Sequence, residues 1–265
     1  MNPILRPNNG SDPTNGGVFF YDWQMYISFA AFVFAILVII FATVINITVY
    51  QKTKAKKSNV LQKDLFKALA IKTNYTDIKL MYGERKRVNN HFNYRAAFQE
   101  LHLPKWYEEN NSVKGTMLML YNFTNILDIR EQATNFWSRS IYCHILAAFG
   151  VGSNLISYLS FRFGDYGALS SMNLSWFFTA LAISGTILLI AAWAWWVKIF
   201  TKLIKKLDEI TVGNLPEEER KEVLKMFKLQ ASVPFTVNTT IIIPRKVDED
   251  EANKVSTPKK EKVTA

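Results

Sequence analysis

Phe29-Ala30-Ala31-Phe32-Val33-Phe34-Ala35-Ile36-Leu37-Val38-Ile39-Ile40-Phe41 runs without one polar side chain, inside a stretch from Trp23 to Gln51 that carries no formal charge. A helix rises 1.5 Å per residue, so roughly 20 apolar residues cross the hydrocarbon core of a bilayer. The stretch is long enough, and it predicts a transmembrane helix over 26–50. Tyr21, Trp23 and Tyr26 stand at one end, where amphipathic rings favour the headgroup layer. Lys52, Lys54, Lys56 and Lys57 close the other end with no acidic residue among them. Cations favour the cytoplasmic side, so the expected orientation is N-terminus out.

Two more uncharged stretches predict transmembrane helices over 140–161 and 174–197, joined by a short outer loop, 162–173, that holds Arg162, Gly164, Asp165, Gly167 and Ser170. Trp193, Trp195 and Trp196 followed by Lys198 mark the inner end of the third. The net charge of +10 follows the same plan. Of the 32 Lys and Arg residues, Arg6 precedes the first helix and Arg162 lies between the second and third. Segment 51–139 holds 16 and segment 198–265 holds 14. The expected fold is therefore an all-α membrane protein with three transmembrane helices, N-out and C-in, and a mainly helical cytoplasmic domain between the first two. The basic excess sits where the positive-inside rule puts it, and no aromatic–basic module points to nucleic acid.

Residues 1–25 are rich in Asn, Gly and Pro and read as a flexible extracytoplasmic arm. With Arg6 as the only basic flank and no small-residue cleavage site, the first helix reads as a retained anchor rather than a secretory signal. The basic domain at 51–139 shows helical spacing at Val60, Leu61, Leu65, Phe66 and Leu69, and again at Ala96, Ala97, Phe98 and Leu101. Period-2 alternation is missing, which argues against strands. Asn110, Asn111 and Ser112 are placed to cap a helix starting near Val113, and Met117, Leu120, Phe123 and Leu127 carry it toward the next span without a break. In 198–244, Lys198, Lys202, Lys205 and Lys206 interleave with Ile199, Phe200, Leu203, Ile204 and Leu207. This predicts that the third helix continues as a basic amphipathic helix at the membrane surface. Asn214 and Pro216 open a further helix to about Lys228, with Glu217, Glu218 and Glu219 in its first turn. Val237 to Ile243 has the composition of one strand, and 245–265 reads as a disordered tail.

No catalytic or cofactor motif is present. Cys143 is the only cysteine and falls within a span, so it reads as an inert small residue. His91 and His102 lack the spacing and the supporting ligands of a metal site, and there is no glycine-rich phosphate loop. Asn9 and Asn173 begin Asn-x-Ser triplets on the expected outer side. No Asp, Glu, Lys or Arg occupies the centre of a span, which argues against a proton pump or charge-coupled carrier. His144, one turn inside the second span, is the candidate proton-sensing group; its plainer role is a histidine satisfied by a backbone carbonyl or water.

Small and polar residues cluster in the second and third spans. Ala148/Gly152, Ser153/Ser157 and Ala180/Ser184 are small-xxx-small pairs of the kind that let helices pack closely in lipid. Packing within the hairpin is their plain reading, and a polar lining formed by Asn154, Thr179, Ser184 and Thr186 is the sharper one. The first span is bulkier and fits a lipid-facing helix, with Asn46 and Thr48 toward its inner end. Lys52, Lys54, Lys56 and Lys57, then Arg85, Lys86 and Arg87, then Lys202, Lys205 and Lys206, are candidate patches for anionic lipid headgroups or an acidic partner.

The layout of one N-out span, a cytoplasmic segment near 90 residues, a helical hairpin and a cytoplasmic tail resembles the ExbB/TolQ-type stators. That resemblance implies a ring passing protons beside hydroxyl residues, here Thr179, Ser184 and Thr186. It also resembles the YidC-type insertase core, which implies a polar groove for client helices. The expectation drawn from the residues themselves is a non-enzymatic subunit or scaffold of a membrane complex. It would form a homo-oligomer or join other membrane subunits, with the stator or insertase device as the alternative.

Overall fold

The computed structural model describes residues 22–54, 56–83, 94–104, 111–163 and 172–234. In chain order they form α1 (Asp22–Lys54), α2 (Gln62–Lys72), β1 (Lys79–Gly83), β2 (Tyr94–Arg95), a 3-10 turn (Ala96–Phe98), β3 (Glu100–Pro104), α3 (Val113–Glu131), α4 (Phe136–Phe163), α5 (Met172–Thr211) and α6 (Glu217–Ala231). The described residues are mostly helical, and three of their helices, α1, α4 and α5, are long and apolar enough to cross a membrane. The N-terminal arm, the strand expected near 237–243 and the tail expected from 245 lie outside the described residues.

The chain divides into two compact units. The first holds α1 up to Ile45, α4, α5 up to Leu203 and the end of α6 from Lys228. Its helices pack through stripes that alternate in steps of three and four residues, the spacing that keeps one face on a neighbouring helix. On α1 the buried stripe is Ser28, Ala31, Ala35, Val38 and Ala42; on α4 it is Cys143, Ala147, Gly150, Asn154, Ser157 and Phe161. On α5 it includes Ser175, Thr179, Ala182, Leu189, Ala192 and Trp196. Large side chains such as Ile40, Phe41, Phe149, Ile156, Phe177 and Ile187 are exposed instead. Small residues predominate in these stripes, though Phe161, Leu189 and Trp196 are buried in them too. Close contact between small residues suits lipid, where apolar surface gains nothing by leaving the hydrocarbon and packing supplies the attraction. The first helix corrects the sequence reading: its bulk is on one face, and its other face is a small-residue seam.

Aromatic contacts fix the directions within this unit. Trp23 meets Trp176 edge-on at 5.3 Å, and Phe34 stacks near Trp193 at 6.5 Å, so α1 and α5 run parallel. Phe32 stacks on Tyr158 at 4.4 Å and Phe136 meets Phe200 at 4.9 Å, so α4 runs antiparallel to both.

The second unit has an ordinary hydrophobic core. Leu65, Phe66 and Leu69 of α2 are buried with Leu120, Phe123, Ile126 and Leu127 of α3, and Phe66 meets Phe123 edge-on at 6.0 Å. Leu101 and Leu103 add one face of a three-stranded sheet. Its order is β1-β3-β2, with β1 parallel to β3 (Lys79↔Glu100) and β2 antiparallel to it (Tyr94↔Leu101). This sheet departs from the all-helical expectation. Gln99 adopts a left-handed φ of 52°, which ends the 3-10 turn and redirects the chain into β3, so Ala96 to Leu101 is not one helix. The alternation is real but only five residues long.

The helix after Ser112 begins as expected, with the Ser112 hydroxyl accepting from the Gly115 amide at 3.2 Å. It does not run into the next span. Gln132 and Asn135 both take φ of 52°, and the Asp128 carboxylate holds the break by accepting from the Thr134 amide and hydroxyl, each at 2.8 Å. The long helix α5 does continue past Lys198, without interruption to Thr211, where Gly213 turns at φ 78°. Lys72 Nζ donates to the Glu209 and Val212 carbonyls at that C-terminus. The helix expected after Pro216 is α6.

Arg130, in the last turn of α3, donates twice to the Asp77 carboxylate, at 3.0 and 2.6 Å, and once to the Tyr94 hydroxyl at 3.0 Å. It also stacks over the Tyr75 ring at 4.7 Å. Burial and then the hydrogen bond to Glu131 push the Tyr75 phenol up to about 12. The Arg130 hydrogen bond holds the Asp77 carboxyl below its ordinary 3.8. A depressed carboxyl contributes stability that is complete above its ordinary value and is lost as pH falls through the lowered one. Melting curves of the detergent-solubilised chain should therefore lose stability below about pH 4, and Asp77→Asn should flatten that part of the profile. In the core of the same unit, Phe123→Ala should cost about 3–5 kcal/mol, read by denaturant unfolding.

Candidate functional site

The residues richest in chemistry within the apolar helices meet in one seam of the first unit. Its closest approach is between Gly150 on α4 and Gly185 on α5. A Cβ added at Gly150 would stand 2.7 Å from the Gly185 carbonyl oxygen; one added at Gly185 would stand 2.9 Å from the Gly150 carbonyl and 2.5 Å from Asn154 Oδ1. Only glycine lets the two backbones come this near. Asn154 is fully buried, its Nδ2 donating to the Ala31 carbonyl of α1 at 3.2 Å, while its Oδ1 rests against Gly185. That oxygen accepts no hydrogen bond among the described residues.

A second link crosses all three helices. Ser157 Oγ donates to the Phe178 carbonyl at 2.7 Å, and Ser28 Oγ lies 2.7 Å from Ser157 Oγ. A hydroxyl has one proton, and a carbonyl can only accept, so Ser28 must be the donor to Ser157. The chain of bonds therefore runs from α1 through α4 to α5 in a fixed sense. Both serines are fully buried.

Of the four polar residues singled out in the sequence, the structure buries two in this seam and leaves the others apart. Thr179 is fully buried and donates to Ser175 O at 2.8 Å. Thr186 is half-buried and donates to Ala182 O at 2.9 Å, whereas Ser184 is exposed and donates to Leu181 O at 3.1 Å. Each of these hydroxyls spends its proton on its own helix. Sequence reasoning missed Ser28, Ser175 and the contact pair Gly150/Gly185. The signal was present for Ser28, which stands three and seven residues before Ala31 and Ala35. Of the three small-xxx-small pairs it chose, Ser153/Ser157 falls in the seam, with Ser157 fully buried and Ser153 Cβ 2.8 Å from a Cβ added at Gly185. The other two fall elsewhere: Ala148 is exposed, Gly152 has nothing within 4 Å of an added Cβ, and Ala180 is exposed beside Ser184.

His144 is half-buried, its Nδ1 bonded to the Ser140 carbonyl one turn back and its ring edge-on to Trp196 at 4.8 Å. The buried Cys143 thiol donates to the Ala192 carbonyl at 3.0 Å. Two indoles of α5 receive the end of α6, Trp193 donating to Ser232 O at 2.8 Å and Trp196 to Gln230 O at 3.1 Å.

The basic patches are sorted by their partners. Lys56 pairs with Glu222, Lys52 and Lys57 are exposed, and the Lys54 side chain lies outside the description. Arg85, Lys86, Arg87 and His91 fall in 84–93, outside the described residues. Lys202 and Lys205 are exposed and Lys206 is half-buried. Near Lys56, Glu219 is buried and accepts from the Ser58 hydroxyl, the Asn59 amide at 3.0 Å and the Thr116 hydroxyl at 3.4 Å, fastening α6 to α3 within the second unit. His102 pairs with Glu100 at 2.7 Å, and among the described residues no three His, Cys, Asp or Glu side chains gather as a metal site.

If the seam holds the three helices together, Gly150→Val and Gly185→Val should each lower the melting temperature of the purified chain sharply. Gly152→Ala, into open space, should leave it unchanged. A Ser28→Ala/Ser157→Ala double-mutant cycle should give a coupling of about 0.6 kcal/mol, with about 1.7 as the upper end for such bonds in a membrane. In comparisons with known proteins, no family model, no curated protein and no solved structure matches the chain.

Proposed function

We propose that the chain is a non-enzymatic subunit or scaffold of a membrane complex, with α1, α4 and α5 crossing the bilayer. The observation that carries this reading is how the apolar helices use their polar groups. Ser28, Asn154, Ser157 and Thr179 donate to one another and to backbone carbonyls inside a buried seam, which is what packing requires and what a hydrated path would not. The bulky outward faces are then free to meet lipid or other membrane helices.

The orientation we propose is N-out, with the lysine-rich ends of α1 and α5 in the cytoplasm. It is supported by the parallel course of these helices, which sends their basic ends to one side, and by the distribution of Lys and Arg along the chain. The second unit would then lie on the cytoplasmic side as the surface that receives a partner.

Mild-detergent purification of the tagged chain, with mass spectrometry of what accompanies it, should return a defined set of membrane proteins. A homogeneous homo-oligomer that conducts ions in a planar bilayer would overturn the scaffold in favour of a pore. Asn154→Leu and Thr179→Val separate the two further: assembly that survives alongside abolished ion flux would assign those residues to conduction. For orientation, Asp12→Cys should react with an impermeant thiol reagent added from outside only.

A further inference from the structure

One face of α5 remains unclaimed by the seam. At 100° per residue, Ala180, Ser184, Ile187, Ala191 and Ala194 lie within about 40° of one line along the helix. Lys198, Lys202 and Lys205 continue the same line, and all eight are exposed. Most of the apolar part is small, so it forms a shallow track. The basic part begins just past the tryptophans Trp193, Trp195 and Trp196 and spans about 10 Å along the axis. Glu209, one turn beyond Lys205, ends the basic run.

What sets this ridge apart is the alignment of its cations with an apolar track. Other exposed lysines, among them Lys52, Lys57, Lys63 and Lys67, also lack an acidic partner among the described residues but continue no such track. Lys56 is matched by Glu222, Lys221 by Glu217 at 3.1 Å, and Arg220 by Asp208 and Glu217. Arg130 is matched by Asp77, and Lys72 caps a helix. No acidic side chain among the described residues pairs with Lys198, Lys202 or Lys205. Three unmatched cations in line with an apolar track about 21 Å long, enough for one acyl chain, call for a ligand that is anionic at one end and hydrocarbon at the other.

We propose that this face of α5 is a docking track for an anionic phospholipid, with acyl chain along Ala180–Ala194 and headgroup on Lys198, Lys202 and Lys205. The inference rests on α5 crossing the bilayer. A headgroup layer and its surface potential act over about the depth that the three lysines cover. Each lysine near an anionic surface is worth up to about a fivefold gain in association.

The test uses the purified full chain in phosphatidylcholine bilayers, with spin-labelled phosphatidylglycerol or phosphatidylcholine as probe. The motionally restricted fraction of each gives their relative association constant. The intact protein should favour phosphatidylglycerol by about fivefold or more at low salt, falling as salt is raised. K198Q/K202Q/K205Q should bring the ratio close to one, while Lys221→Gln, which removes a matched cation, should leave it unchanged. Equal restriction of both lipids by the intact protein, or selectivity that survives the triple substitution, would overturn the lipid track while leaving the membrane-spanning reading intact. No restricted component with either lipid would sink both. Lysine-dependent binding of an RNA homopolymer without lipid selectivity would also overturn the proposal and reassign the ridge to a polyanion.

Discussion

Close approach at Gly150 and Gly185 is the constraint on which the membrane-type unit depends. Hydrocarbon offers no hydrophobic drive between apolar helices, so what draws them together is contact distance and the satisfaction of polar groups. The two glycines let α4 and α5 meet backbone to backbone, and Asn154 is then near enough to reach Ala31 on α1. The hydroxyl chain from Ser28 through Ser157 to the Phe178 carbonyl ties the same three helices a turn away. Were a side chain inserted at either glycine, these bonds would lengthen together, because they share one separation.

The second unit is built around a core of large side chains. Leu65, Leu69, Leu101, Leu120, Phe123 and Leu127 are large and fully or almost fully buried, as in a core that forms by expelling water. Polar groups act here as fasteners: Arg130 on Asp77 and Tyr94 and Lys72 on the end of α5 at the surface, and Glu219 on Ser58, Asn59 and Thr116 in a buried cluster. The first unit packs small residues where its helices approach most closely and also buries Phe136, Phe161, Trp196 and Phe200, whereas the core of the second is made of large side chains.

Particular elements show how far the sequence could be read. The Ser112 cap, the start of α6 after Pro216 and the run of α5 beyond Lys198 were legible because caps, prolines and helical spacing are local signals. The sheet was not. β2 is two residues long, and β1 and β3 are five each, paired across an intervening segment; their stability comes from burying Leu101 and Leu103 rather than from a local pattern. The break between α3 and α4 was hidden for a related reason. Left-handed Gln132 and Asn135 carry no glycine signature, and the Asp128–Thr134 cap that sustains them spans six residues.

By itself, then, the sequence determined three helices long and apolar enough to cross a membrane, because length and hydropathy act residue by residue. Only the tertiary structure decided which of several small faces is the contact. Ala148/Gly152 and Ala180/Ser184 obey the same spacing rule as the stripes that pack, yet they face outward while Gly150, Gly185, Ser28 and Ser157 face in. Spacing fixes which residues share a face. Which face meets a neighbour depends on the joint fit of three helices, and that is a property of their packing rather than of any one of them.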